Sequence, residues 1–413
     1  MDIGKVKYWQ HPSKTNCVFV DKSESPIISI DIWCKAGVAF EDENNVGSAH
    51  FLEHMLFKGS ESLKSGEFDF RIESLGGLSN ASTGYDDVHY YVDIPTSNLE
   101  EALYLLTNLV FMPCMDKNDF ELEKKVILEE IMQNFDQKED RIFNHFIKRI
   151  WKGEAYNKSI LGDEDNIKKL KLSDLLNFHK KRYTIQNSCI SIVGKLPKNY
   201  LKILENCQLN FINKNESNNR DNLKVYQSIR SGREVISINE IEFSRVLISW
   251  LIPSSKQQKL IVGYEILSSI LSDGRSSILN RELRENDQLV ESVYSGIYPG
   301  EFGGLFIIEA SYENKNILKV ENIINNLLIK LINANDLDNR IRKAIRIVKS
   351  NYIFNLETSS QLSSFLGSNL LWGRLNPHNY LVKNLEYWEN VDNFKEITNL
   401  FLENKYTLLI NNK

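Results

Sequence analysis

Hydrophobic and polar positions alternate most regularly at residues 88–94, where Val88, Tyr90, Val92 and Ile94 interleave with His89, Tyr91 and Asp93. A period of two is that of a strand with one buried face, so His89 reads as a structural strand residue. A further strand is predicted ahead of it at 26–39 and a helix behind it at 98–112. The same order returns in the second half: a strand at 245–252, a helix at 258–272, a strand at 304–311 and a helix at 315–333. The run Gly-Gly-Leu-Phe-Ile-Ile-Glu-Ala-Ser at 303–311 echoes Asp-Asp-Val-His-Tyr-Tyr-Val-Asp-Ile at 86–94. Between the halves, residues 210–234 lose periodicity and are dominated by Asn, Lys, Glu, Ser and Asp, as in a surface linker. The pattern predicts an α+β fold of two similar domains, 1–209 and 235–413, joined by the linker 210–234.

Composition narrows the function classes. A chain of 413 residues can bury a core in each of two domains. With 42% hydrophobic and 25% charged residues it has the balance of a soluble globular protein. A net charge of −5 leaves no basic footprint for nucleic acid, which is excluded as a partner. No stretch reaches the roughly 18 apolar residues of a membrane span, and the N-terminus resembles neither a signal nor a transit peptide. Five scattered cysteines (Cys17, Cys34, Cys114, Cys189 and Cys207) read as reduced thiols, the usage of a cytosolic protein. A mature organellar form would read the same way.

Candidate chemistry sits at residues 50–54, His-Phe-Leu-Glu-His. On a helix, His50 and His54 lie one turn apart on one face, as two imidazoles sharing a metal ion require. Glu53 lies roughly 60° round the helix, near enough to hold a metal-bound water without ligating. The order inverts the His-Glu-x-x-His of ordinary zincins and is the signature of an inverted zincin. Paired histidines can also be a core pair or a solvated face, and the surrounding residues decide between these readings. Downstream, Glu123 and Glu130 are two helical turns apart and share a face, while Glu129 is turned about 100° away and reads as solvated.

The run Gly47-Ser48-Ala49-His50-Phe51-Leu52-Glu53-His54-Met55-Leu56-Phe57-Lys58-Gly59-Ser60 resembles the active-site helix of the pitrilysin/insulinase family of zinc metallopeptidases. The resemblance is to the mitochondrial processing peptidase type, and it covers nearly the whole chain, most sharply residues 20–140. It implies that Glu130 is the third zinc ligand and that Glu123 fixes a histidine tautomer. Two imidazoles and one carboxylate leave zinc an open position for water, the catalytic rather than structural arrangement. Glu53 is then the general base. The segment Gly76-Gly77-Leu78-Ser79-Asn80-Ala81-Ser82-Thr83 matches the family's edge strand, to which a peptide adds as an extra strand. Asn80, Ala81 and Ser82 are the implied substrate contacts, joined by Arg284 from the second half. The family also implies two homologous domains, each a mostly antiparallel sheet packed with helices, forming half of a clam-shell chamber.

One departure bears on partners. Complete sites in the family carry an arginine and, seven residues on, a tyrosine that donates to the developing oxyanion. Here Arg284 matches the arginine, but Glu291 stands at the tyrosine's place, and an ionised glutamate cannot donate. Tyr294 lies three residues farther on and, in an extended segment, faces the other way. The resemblance therefore implies a metal-bearing subunit whose homologous partner supplies the missing Arg/Tyr pair, or else a homodimer. Zinc endopeptidase is the leading function. A non-catalytic structural or binding subunit is the alternative, and a small-amide hydrolase is disfavoured by the edge-strand segment.

Overall fold

The period-two runs fold as strands of two sheets in a computed structural model that describes residues 3–412, except 154, 208, 210–226, 240, 314, 315 and 335. The first half contains β1 (Val6–Gln10), β2 (Asn16–Asp21), β3 (Ile27–Cys34), α1 (Ser48–Leu56), α2 (Glu67–Ser74), β4 (Leu78–Thr83) and β5 (Val88–Pro95). It continues through α3 (Leu99–Phe111), α4 (Lys117–Asp136), α5 (Lys138–Ile150), α6 (Glu164–Lys169), α7 (Leu172–Arg182), β6 (Ser188–Gly194) and α8 (Tyr200–Asn206). The second half contains β7 (Gly232–Ile238), β8 (Ser244–Ile252), α9 (Gln258–Ser272), a π-helical stretch (Asn280–Asn286), β9 (Ser292–Tyr298) and β10 (Gly304–Tyr312). It closes with α10 (Ile317–Ile332), α11 (Leu337–Phe354), α12 (Ser359–Leu371), α13 (Pro377–Trp388), α14 (Val391–Thr398) and β11 (Lys405–Asn412). No helix of the described residues is long and apolar enough to cross a membrane. Of the five cysteines, all free, only Cys114 is exposed.

Two compact units follow, but not along the expected division at 1–209 and 235–413. One comprises Met1–Gln137, Glu154–Leu223 and Phe354–Pro377, the other Lys138–Gly153, Lys224–Ile353 and His378–Lys413. Thus α5 belongs to the second unit and α12 to the first. An amphipathic helix declares that it buries a face, not which sheet it buries that face against. Of the expected linker, 210–226 lie outside the described residues, and Gly232, Arg233 and Glu234 open β7 rather than ending a loop.

The first unit's sheet runs β1-β2-β6-β3-β5-β4, antiparallel except for the β2–β6 pair. On one face of β3, Ile28, Ile30 and Ile32 are fully buried. On the other, Ser29, Asp31 and Trp33 lie beneath α12, which comes so close that a Cβ on Gly367 would sit 2.5 Å from the Trp33 ring. The strand predicted over 26–39 stops at Cys34. Gly37 then passes so near Tyr85 that a Cβ would meet its carbonyl oxygen at 2.4 Å.

In the second unit the order is β7-β11-β8-β10-β9, with β7–β11 the one parallel pair. Its core is apolar throughout and fills around Trp250, Phe306, Trp388 and Phe394, all nearly or fully buried. The two sheets correspond strand for strand: β2, β6, β3, β5, β4 match β7, β11, β8, β10, β9. The order of elements read from the sequence thus reflects a repeated α+β architecture.

Candidate active site

Two helices build the site. Gly47 caps α1 with φ 93°, and a Cβ there would sit 2.5 Å from Ile167 Cδ1, so glycine is required twice over. The N–H groups of Gly47 and Ala49 donate to the two oxygens of Glu41, at 3.0 and 2.8 Å. Burial pushes Glu41 up to about 7, even though these N–H donors favour its charge. Behind the site, Phe51 and Met55 of α1 pack on Phe120 and Ile127 of α4, with Phe51 and Phe120 stacked at 4.9 Å. The seven-residue spacing of Phe120 and Ile127 is also that of Glu123 and Glu130, so the packing helix face carries both carboxylates towards α1.

Facing α4, the His50 and His54 rings stand edge to face with centroids 4.6 Å apart. Burial, with His54 alongside, pushes His50 down to about 4, so its ring is neutral near pH 7 and has a lone pair to offer. Glu130 presents one oxygen to each ring: Oε1 is 3.8 Å from His50 Nε2 and Oε2 is 3.6 Å from His54 Nε2. These separations exceed hydrogen-bond lengths. They approach the roughly 3.4 Å expected between two ligand atoms that share one tetrahedral zinc at about 2.1 Å each. One ligand atom from each residue lies within 4.8 Å of the others, and no other such cluster occurs among the described residues. Two imidazole nitrogens and one carboxylate suit zinc, so the residues fit the metal. Glu129 is exposed and outside the cluster.

Around the cluster, Glu123 is buried and accepts from His54 Nδ1 at 2.8 Å, while its other oxygen meets Lys58 Nζ at 2.6 Å. Glu53, half-buried, accepts a short hydrogen bond from the Thr83 hydroxyl at the end of β4. Burial raises Glu53 above the usual carboxylate range, opposed by Thr83 and His54 and assisted by Glu130. His89 takes no part: it stacks between Trp33 and Tyr91 in the sheet.

β4 is one of the sheet's two edge strands, bonded on one side to β5 alone. Asn80 and Ser82 are exposed on it, and Ala81 N–H donates to Asn80 Oδ1. Thr83 joins this edge directly to Glu53. Arg284 lies in the second unit, in the π-helical stretch. Glu291 is exposed one residue before β9. Tyr294 stands opposite Glu309 of β10, alternating with Val293 and Ser295, and Ser295 turns to bond Ser268 and Ser272 of α9. Glu41, Lys58 and Thr83 escaped the sequence reading. Lys58 alone had a local signal, four residues beyond His54 and so on the same helix face.

A model of the insulinase family, peptidase family M16, matches residues 17–164, and one described as the peptidase M16 inactive domain matches 169–346. The zinc protease PqqE of Helicobacter pylori is 25% identical over 356 residues, which cover 85% of this chain and 80% of that protein. An uncharacterized zinc protease of Mycobacterium leprae, ML0855, is 26% identical over 350 residues, 84% of this chain and 78% of its own. Among solved structures, a protease from Helicobacter pylori shares the fold with a TM-score of 0.89 at 23% identity, over 98% of this chain and 99% of that one. The chain belongs to the insulinase family of peptidases, M16, and carries both of its characteristic domains.

Proposed function

We propose that the chain is a zinc endopeptidase that hydrolyses extended peptides, with His50, His54 and Glu130 as ligands and Glu53 as general base. The carrying observation is the set of unbonded Nε2 and carboxylate atoms of these three residues, turned on one another within 4.8 Å beside Glu53. The relatives named zinc proteases support the metal and the reaction class. Zinc bound there supplies a Lewis acid that polarises the scissile carbonyl and lowers the pKa of water to about 7. The chain's residues do the rest. Thr83 holds one oxygen of Glu53, so the carboxylate keeps its aim. Glu53 takes the proton from the attacking water and hands it to the leaving amine. The β4 edge holds the peptide backbone in an extended form, with Asn80, Ala81 and Ser82 in contact.

Cleavage of a quenched, unstructured peptide by the purified, zinc-loaded chain tests the reading, with Glu53→Gln as blank. Activity lost in the blank is expected. A folded, zinc-loaded chain that stays silent under all partner conditions is instead the alternative, a non-catalytic subunit.

Glu291 in place of the tyrosine favours a second element of the reading. The chain works as the metal-bearing subunit of a dimer whose homologous partner supplies the Arg/Tyr pair, Arg284 being this chain's half of such a pair. Full activity of the purified chain alone, as a monomer or homodimer, would refute the obligate partner.

A further inference from the structure

The two histidines of the cluster are held differently. His54 Nδ1 is 2.8 Å from Glu123 Oε1, whereas His50 Nδ1 is buried without a hydrogen-bond partner. Orientation of the pair by polar contacts therefore runs through His54, and Glu123 in turn is held by a residue outside the ligand set. Lys58 Nζ meets Glu123 Oε2 at 2.6 Å. With one oxygen on the imidazole and the other on the ammonium, the buried carboxylate has no free rotation about its last bond.

The placement follows from the chain. Lys58 is four residues after His54, just past the end of α1 at Leu56, so its side chain leaves the helix on the His54 side. An ammonium there also lies at the negative end of the helix dipole. Glu123 reaches both groups because it sits on the α4 face that packs against α1 through Phe120 and Ile127. The positive charge balances a carboxylate that would otherwise be buried with only an imidazole as partner.

Resting on the zinc reading above, we propose that Lys58 is a positioning residue of the metal site: through Glu123 it locks the His54 ring with Nδ1–H donating and Nε2 turned to the metal. Partners one layer outside a metal's ligands change affinity by about 10–100-fold when lost. Lys58 acts one step farther out, so the lower end of that range applies.

The test is zinc affinity of the full chain by chelator competition, with circular dichroism and thermal melting to confirm folding. Lys58→Met is expected to weaken zinc binding by about tenfold, and Lys58→Arg, which keeps a cation on Glu123, to restore most of it. In a Glu123→Gln background, Lys58→Met should add almost nothing, because the path is already cut. An NMR spectrum of histidine-labelled protein should lose or shift the slowly exchanging His54 Nδ1–H signal in Lys58→Met but not in Lys58→Arg. Unchanged zinc affinity in folded Lys58→Met overturns the proposal. So does an equal loss with and without Glu123, which would mean that Lys58 acts by another route. A parent chain that fails to bind zinc would instead defeat the metallopeptidase reading, and this inference with it.

Discussion

The two units share one strand order and one parallel pair, yet they treat the helix that follows the central strand in opposite ways. In the first, α1 turns two imidazoles and a carboxylate into a space shared with α4, and the Glu130 oxygens face ring nitrogens at 3.6 and 3.8 Å without bonding them. In the second, α9 buries Ile261, Val262, Ile266, Leu267, Ile270 and Leu271. Three of its polar groups are paired locally: Ser268 and Ser272 bond Ser295, and both oxygens of Glu265 accept from the Tyr352 hydroxyl at 2.9 Å, while the buried Ser269 hydroxyl has no partner. The fold is thus a neutral platform. What makes one copy a candidate metal centre is that its imidazoles and carboxylate are left facing one another, where α9 of the other copy pairs its one carboxylate with Tyr352.

The comparison can be broken most forcefully at the half-buried carboxylate of Glu53 on α1. Glu53→Gln should lower kcat for peptide cleavage by about 10²–10⁴, the range for losing a general acid–base. It should leave zinc content unchanged, because Glu53 is outside the ligand set. Steady-state kinetics and metal analysis of one preparation check both. Loss of zinc together with activity would return Glu53 to a structural role.

Next in size is the anchor at the start of α1. Glu41→Ala leaves the N–H groups of Gly47 and Ala49 buried without their acceptor. Each such orphan costs about 1–3 kcal/mol. Stability should fall by about 3 kcal/mol, read as a lower urea midpoint with unchanged slope. A shift no larger than that of an average surface substitution would show that water replaces the carboxylate.

A smaller effect tests which sheet α12 belongs to. Gly367→Ala forces a methyl group against Trp33 and should cost about 2 kcal/mol by overpacking. Tryptophan fluorescence should change with it, since Trp33 is the residue displaced. This contact marks the limit of what the sequence could say. The alternation at 88–94 and along β3, and the apolar-rich runs of β8 and β10, announce strands because each satisfies its own period. The helix 258–272 ends where its pattern ends. The exchange of α5 and α12 between units has no such signature, because an apolar stripe is the same whichever sheet covers it. The site divides likewise. His50, Glu53 and His54 are readable because three residues within one turn must share a surface. Thr83 and Glu41 reach α1 from a strand and a loop, and nothing local in the sequence ties them to it.

The smallest expected effect reverses the sign of the first. Burial pushes Glu265 from 4.5 up to about 7, with the Tyr352 bond opposing the shift. A carboxyl whose folded pKa is raised contributes its full stability below the unfolded value, near 4.5, and loses it as pH climbs through 7. That window corresponds to about 3 kcal/mol at most. Glu265→Gln removes the ionisation while keeping an oxygen for Tyr352, but its amide adds two buried donors that need partners, which offsets part of the gain. The variant should therefore fall below the parent near pH 4.5, where only the amide's cost remains, and exceed it by about 1 kcal/mol at pH 8, with peptide cleavage unaffected. Parallel urea titrations at the two pH values decide it: a parent whose stability does not decline between them, relative to the variant, would mean that Glu265 ionises freely. The second unit would then hold a solvated carboxylate on α9 and not the closed, self-satisfied pair that sets it apart from α1.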